Sequence, residues 1–164
     1  MAPHPPPGET ITDLYRGHAL GLVRLALIMT GDRQAAEDAV QEAFFGLHRN
    51  WHRLRDRDKA LTYVRSAVLN RCRDTRRRGR FRLTEHLPPV WSAEAAVLHD
   101  EEQRAVVAAL HRLPGRQREA LVLRYFLDLS EAEIALTMGV SNGTVKSTTS
   151  RGLAALERIL KEER

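Results

Sequence analysis

The residues with the clearest binding chemistry lie near the end of the chain. Asn142, Lys146, Ser147, Ser150 and Arg151 recur on one side of a helical repeat, with Ser141 and Thr144 beside them. Hydroxyl, amide and cationic groups in this pattern supply donors and acceptors for base edges and phosphates. The opposite side carries Val145, Thr149, Gly152 and Leu156, spaced by four, three and four residues, which makes a packed helical face. A second set, Glu37, Asp38, Gln41, Glu42 and Phe45, clusters acids and an amide around an aromatic ring on the side of a helix left outside its apolar stripe. Two readings of this face stand open. It docks onto a basic partner surface, or Phe45 packs on a neighbouring helix and the acids are merely solvated.

A third concentration is electrostatic. Between Arg49 and Arg82 thirteen basic residues stand against three acidic ones, so half of the 26 lysines and arginines lie in this block. Such a block favours polyanions. The net charge of +5 agrees in sign.

Catalytic chemistry finds no comparable cluster. The seven histidines, at 4, 18, 48, 52, 86, 99 and 111, make no metal-ligand spacing with cysteine or acids, and no glycine-rich phosphate loop occurs. Asp56 and Asp58 mimic a metal pair but read better as a charged loop. The single cysteine, Cys72, allows no internal disulfide and reads as a small core residue. No enzyme activity, cofactor or metal is therefore expected.

The elements that position these groups are helices. Ser130 and Glu133 form a capping box at the start of a helix carrying Ile134, Ala135 and Met138. Gly139 ends it at a position that favours positive φ, and Ser141 caps the next helix. Two helices joined through this turn make a helix-turn-helix, with Ala135, Gly139 and Val145 at its small, glycine and β-branched positions.

Earlier in the chain, a helix is predicted from about Thr12 to Met29, and a second from about Arg33 to Trp51, capped by Asp32. The second bears the stripe Ala36, Ala39, Val40, Ala43, Phe44, Leu47 and Trp51. A third runs from about Lys59 to Arg78, capped by Asp58 and burying Ala60, Leu61, Val64, Ala67, Val68 and Cys72. Arg71 falls inside that arc, so either its stem snorkels or the helix is leaving the core there. A fourth runs from Ser92 to about Arg112, and Pro114 begins a fifth. No stretch alternates as a strand, and no apolar run approaches the ~20 residues of a membrane span. The expected fold is all-α: two small helical domains, residues 10–78 and 92–161, joined by an extended linker over 79–91, with a disordered leader over 1–9 that is no signal peptide. A reduced, cytoplasmic setting is the default.

Three stretches give the chain a family resemblance: Ala36-Glu37-Asp38-Ala39-Val40-Gln41-Glu42-Ala43-Phe44; Tyr63 to Asp74 with the arginines after it; and Leu113 to Glu119 continuing through Ser130–Ala135 to Gly143-Thr144-Val145-Lys146-Ser147. In this order and spacing they resemble the extracytoplasmic-function sigma factors of bacterial RNA polymerase. The resemblance implies that the first unit is a region 2 domain and the second a region 4 domain. It implies that Glu37, Asp38, Gln41, Glu42 and Phe45 dock on the β′ clamp helices of the polymerase core, and that the second unit meets the β flap. Around the promoter −10 element it implies that Arg73, Arg76 and Arg77 hold phosphates, with Tyr63 alongside. Asn70 and the loop Leu54, Arg55, Asp56, Arg57 and Asp58 would meet an unstacked base, so that capture of flipped bases drives melting. Ser141, Asn142, Thr144, Lys146, Ser147, Ser150 and Arg151 would read the −35 duplex in the major groove, and an anti-sigma partner is common in the family.

The chain departs from the family pattern at Thr148, Thr149 and Gly152, where arginine, leucine and alanine are usual. This implies a weaker packed face and a different −35 preference. Two rivals remain. A stand-alone helix-turn-helix regulator leaves the outer face of the second helix unexplained. A nuclease or recombinase lacks a metal or nucleophile constellation.

Overall fold

The computed structural model describes residues 10–79 and 101–164. The leader, the linker and the start of the fourth helix at Ser92 lie outside the described residues. Helix α1 (Ile11–Thr30) starts with a capping box the sequence reading missed: Asp13 N–H donates to Thr10 Oγ1 at 3.2 Å and Thr10 N–H to Asp13 Oδ2 at 3.0 Å. It ends at Gly31, whose φ of 70° makes it a left-handed cap. Helix α2 (Arg33–Asn50) is capped by Asp32 and buries Ala36, Ala39, Val40, Ala43, Phe44 and Leu47; Trp51 is only half-buried.

Two short 3₁₀ turns, Trp51–Arg53 and Arg57–Lys59, lead to α3 (Ala60–Gly79). Asp56 rather than Asp58 does the capping here. Its Oδ1 accepts from Asp58 N–H at 3.0 Å, because the charged loop closes its own turn before the helix begins. Leu69, absent from the expected arc, is fully buried, whereas Leu61 and Ala67 are half-buried. Then come α4 (Glu101–His111), α5 (Gly115–Tyr125), α6 (Glu131–Met138) and α7 (Asn142–Glu162). No strand occurs among the described residues.

Helices α1–α3 pack on one another, as do α4–α7, and the two sets are also packed together. One apolar cluster runs through both, from Leu14, Leu25 and Leu47 through Val68 and Cys72 to Leu110, Leu123 and Ile134. Each such side chain removed from water contributes roughly 2 kcal/mol. Helices of this length, short of large aromatics, gain much of that burial from each other: α3 lies against α6, and α1 against α4 and α5.

Gly152 has a more constructive place than expected. A Cβ there would meet Leu121 Cδ1 at 3.2 Å, so the glycine lets α7 lie close against α5. Thr149 fits the weaker packing, since its Oγ1 is buried without a hydrogen-bond partner.

Candidate nucleic-acid and partner interfaces

The helix-turn-helix is built as its caps require. Glu133 N–H donates to Ser130 Oγ at 3.2 Å, and Ser130 N–H to Glu133 Oε2 at 2.8 Å. Gly139 has φ 68°, and its N–H returns to the Ala135 carbonyl. Val145, 1% exposed, pins α7 to α6. The outer residues Ser141, Asn142, Thr144, Lys146, Ser147, Ser150 and Arg151 are all exposed. Ser141 and Thr144 are engaged in the cap: Thr144 N–H donates to Ser141 Oγ at 3.1 Å. Ser147 Oγ donates to the Thr144 carbonyl at 3.1 Å. Lys146 Nζ is 4.0 Å from Glu131 Oε1 and stays 72% exposed, a contact worth little in water. Asn142, Ser150 and Arg151 lie open.

The outer face of α2 is also open. Phe45 is 63% exposed, so it packs on no neighbouring helix among the described residues, and that part of the alternative falls, while the acids are solvated as it also has them. Asp38, Gln41 and Glu42 surround it in solvent, with Glu37 half-buried. Gln34 Nε2 donates to Asp38 Oδ1 at 2.9 Å, and Arg33 Nε pairs with Glu37 Oε1 at 3.0 Å. Arg71 turns outward, its Nε 2.7 Å from Glu42 Oε2. Its place in the buried arc is thus resolved by an ion pair across to α2.

The outer face of α3 is different. Arg73 donates from Nε to Glu119 Oε1 at 2.7 Å and from Nη2 to Oε2 at 2.8 Å, while Nη1 donates to Asn70 Oδ1 at 2.8 Å. This is a bidentate fork, the strongest form of carboxylate pairing. Glu119 is 1% exposed, and its hydrogen bonds hold Arg73 above the usual guanidinium pKa. Nearby, Ser66 Oγ donates to the Thr137 carbonyl of α6 at 2.9 Å. The Arg76 guanidinium lies against Gly115 at the start of α5. Arg73 and Arg76 are accordingly half-buried rather than solvent-facing, while Arg77 is exposed.

The residues expected around the −10 element therefore fall into two groups. Asn70, Arg73, Arg76 and Arg77 border a cleft of about 490 Å³ or lie at its edge, facing His111, Arg116, Arg118 and Glu119. Leu54, Arg55 and Asp56 instead line a separate hollow of about 430 Å³ with Asn50, Arg53 and Lys59. Arg57 stacks its guanidinium 5.0 Å from the Trp51 ring, Asp58 is exposed, and Tyr63 Oη accepts from Asn50 Nδ2 at 3.3 Å.

Arg118 joins the two halves. Only 3% exposed, it donates to the carbonyls of Leu110 (2.8 Å), His111 (2.6 Å) and Leu113 (3.1 Å), and to Met29 of α1 (3.2 Å). It thereby caps the carbonyl-rich ends of α4 and α1 together. Burial, reinforced by Arg76, lowers its pKa to about 10, which leaves it charged at neutral pH. Burial, with Glu119 nearby, pushes the Cys72 thiol up to about 12, as befits an inert core residue. Sequence reasoning gave Arg118 and Glu119 no role. The available signal was two adjacent charges running straight into Ala120-Leu121-Val122-Leu123, where buried charges need partners.

Residues 14–82 match the family model for sigma-70 region 2, and residues 103–156 match the one for sigma-70 region 4. The ECF RNA polymerase sigma factor SigM of Mycobacterium tuberculosis is 35% identical over 147 residues, covering 90% of this chain and 75% of that protein. The chain belongs to the ECF sigma factors. The RNA polymerase sigma-E factor of Streptomyces coelicolor is 33% identical over 144 residues, 85% of this chain and 79% of that one. Among solved structures, CnrH in complex with the cytosolic domain of CnrY superposes with a TM-score of 0.73 at 23% identity, over 94% of this chain and 89% of that one. RpoE in complex with the anti-sigma factor NepR from Bartonella quintana gives 0.68 at 22% identity, over 93% and 99%. This ECF sigma factor is thus a DNA-binding initiation factor for RNA polymerase, with the family's all-helical fold. No described helix is long and apolar enough to cross a membrane, and no metal-ligating cluster occurs among the described residues.

Proposed function

We propose that the face of α2 formed by Glu37, Asp38, Gln41, Glu42 and Phe45 docks on the β′ clamp helices of RNA polymerase. The observation that carries this reading is the 63% exposure of Phe45 amid carboxylates, an aromatic anchor that none of the described residues covers. The first unit, residues 10–78, then acts on the −10 element and the second, 92–161, on the −35 element and the β flap, with residues 79–91 threading toward the RNA exit channel. The hollow beside Leu54, Arg55 and Asp56 receives an unstacked base, and its about 430 Å³ and mixed polar walls suit one. Asn142, Lys146, Ser150 and Arg151 enter the major groove. The work is binding and strand capture, without covalent catalysis, in the cytoplasm. An anti-sigma protein is a fitting partner, since of the two structural relatives above one is a complex with an anti-sigma factor and the other a complex with the cytosolic domain of a second protein.

The docked arrangement bears on when the −10 reader works. Arg73 cannot hold a DNA phosphate while both oxygens of Glu119 occupy its fork. We infer that DNA engagement exchanges the Glu119 carboxylate for a phosphate and parts α3 from α5 and α6.

The test is start-specific transcription by sigma-free polymerase core supplemented with the purified chain. Charge reversal at Asp38 and Glu42 should weaken core binding at least tenfold and leave the helical fold unchanged. Unaltered core affinity removes α2 from the interface, and no initiation from any genomic template refutes the promoter-reading scheme.

A further inference from the structure

Helix α7 is seated on its own unit at two places along its inner face. Val145, 1% exposed, sets the first half on α6. Gly152, buried two turns or about 10 Å further along, sets the second half on α5. Glycine is the poorest helix former after proline, and Gly152 lies outside the left-handed region that requires glycine at Gly31 and Gly139. Space is the remaining reason for it. A Cβ at 152 would stand 3.2 Å from both Cγ and Cδ1 of Leu121 and 3.4 Å from Cβ of Gln117. Leu121 is 2% exposed, and its Cγ is a branch point rather than a free end, so the close-packed core around it yields little. A methyl group at 152 therefore lifts α7 off α5 by a few tenths of an ångström.

Polar groups beside this contact do not fix the separation instead. Thr149 precedes Gly152 by one turn on the same face of α7, and Gln117 precedes Leu121 by one turn on α5. Among the described residues, Thr149 Oγ1 and Gln117 Oε1 are buried without hydrogen-bond partners, so neither atom ties the two helices together. The distance between α5 and α7 is set by what stands at 152. The outer residues feel that distance unequally. Ser150 points almost opposite Gly152 round the helix and Arg151 flanks it, whereas Asn142 lies beyond Val145. All three are exposed. Hydrogen bonds to base edges weaken steeply with misplaced distance and angle, so a small outward shift at 152 acts on one end of the outer face and spares the other.

We propose that Gly152 is a positioning residue for promoter reading: by drawing α7 in against α5 it sets how far Ser150 and Arg151 reach, and hence which base pairs are preferred at their end of the −35 element. The proposal rests on α7 being the reading helix. It adds that part of the preference is set from the inner face, by a residue that touches no DNA.

The experiment uses RNA polymerase core with the full chain, wild type or variant, transcribing a promoter library randomised across the −35 element. Asn142→Ala and the Ser150→Ala/Arg151→Gln pair first mark which base pairs each end of α7 reads. Gly152→Ala is expected to change the preference at the base pairs marked by the Ser150–Arg151 pair by about fivefold, the low end of what one base contact discriminates, and to leave those marked by Asn142 unchanged. Adding Leu121→Ala removes both of the closest contacts, so the double variant should regain the wild-type preference although its unfolding midpoint falls. Thr149→Val removes a buried, unpartnered hydroxyl; it should raise the midpoint and leave the preference alone. Three results overturn the proposal alone: no shift with Gly152→Ala, an equal shift with Thr149→Val, or a double variant that keeps the altered preference. If the Ser150–Arg151 pair marks no base pair, that end of α7 reads nothing and the proposal falls; if Asn142→Ala marks none either, the reading role of α7 falls with it.

Discussion

The outer faces of α3 and α7 carry similar chemistry and differ in what covers them. Both present cations and polar groups for nucleic acid. On α7, Lys146 and Arg151 are exposed, with one long contact to Glu131 between them. On α3, Arg73 is gripped by both oxygens of a buried carboxylate, and Ser66 is bonded to α6. The helix-turn-helix therefore stands open as it is, whereas α3, in the −10 role proposed for it, must first part from its own second unit. On the proposed assignment, one reader is constantly available and the availability of the other is set by docking. The face of α2 proposed for polymerase belongs with the open class.

The sharpest way to break the contrast is through Arg118. Its guanidinium caps two helix ends and bridges α4–α5 to α1. Arg118→Ala removes four hydrogen bonds to main-chain carbonyls and opens space in the core. A loss of about 3–5 kcal/mol in unfolding free energy is expected, typical of breaking a buried charged network. Denaturant unfolding measures it, and the loss should abolish the difference between the two faces because neither unit stays docked.

Acid should act next most strongly. His111 touches the cleft and lies against Gly31, and its folded pKa of about 4 is below its ordinary 6.5. A base whose pKa is depressed by folding leaves the unfolded chain binding more protons between those values. Stability therefore falls as pH drops from 6.5 toward 4, by about 3 kcal/mol in total. Unfolding midpoints of wild type and His111→Gln should converge above that window and separate within it, the variant losing less.

A smaller effect sharpens the contrast from the open side. Arg151→Ala should weaken binding to duplex carrying the −35 element by about 1–3 kcal/mol and leave the stability of the chain unchanged, since Arg151 is exposed. An equal loss on duplex without the element makes Arg151 a phosphate contact alone.

Much of this contrast was legible from residue order, and its decisive part was not. Caps and periodicity are local, so the helix-turn-helix, its seven outer residues and the acidic face of α2 emerge from spacing. The loop cap moved from Asp58 to Asp56 because a side chain can close a turn one residue pair earlier than a helix needs. The fate of Arg73 is non-local: its partner is 46 positions away and on another unit. Periodicity describes which side of a helix faces a core, and it is silent on a second unit that covers the polar side. Charges at 118 and 119 beside a run of buried aliphatics were the one trace of that contact.

The docking of α3 is tested most directly by a double-mutant cycle on unfolding free energy with Arg73→Ala, Glu119→Ala and the pair. A cross-unit fork buried as deeply as this one should give a coupling energy of about 1–3 kcal/mol in the free chain. A coupling indistinguishable from zero would mean that α3 and α5 are not joined in solution, and that the outer face of α3 is as open as that of α7.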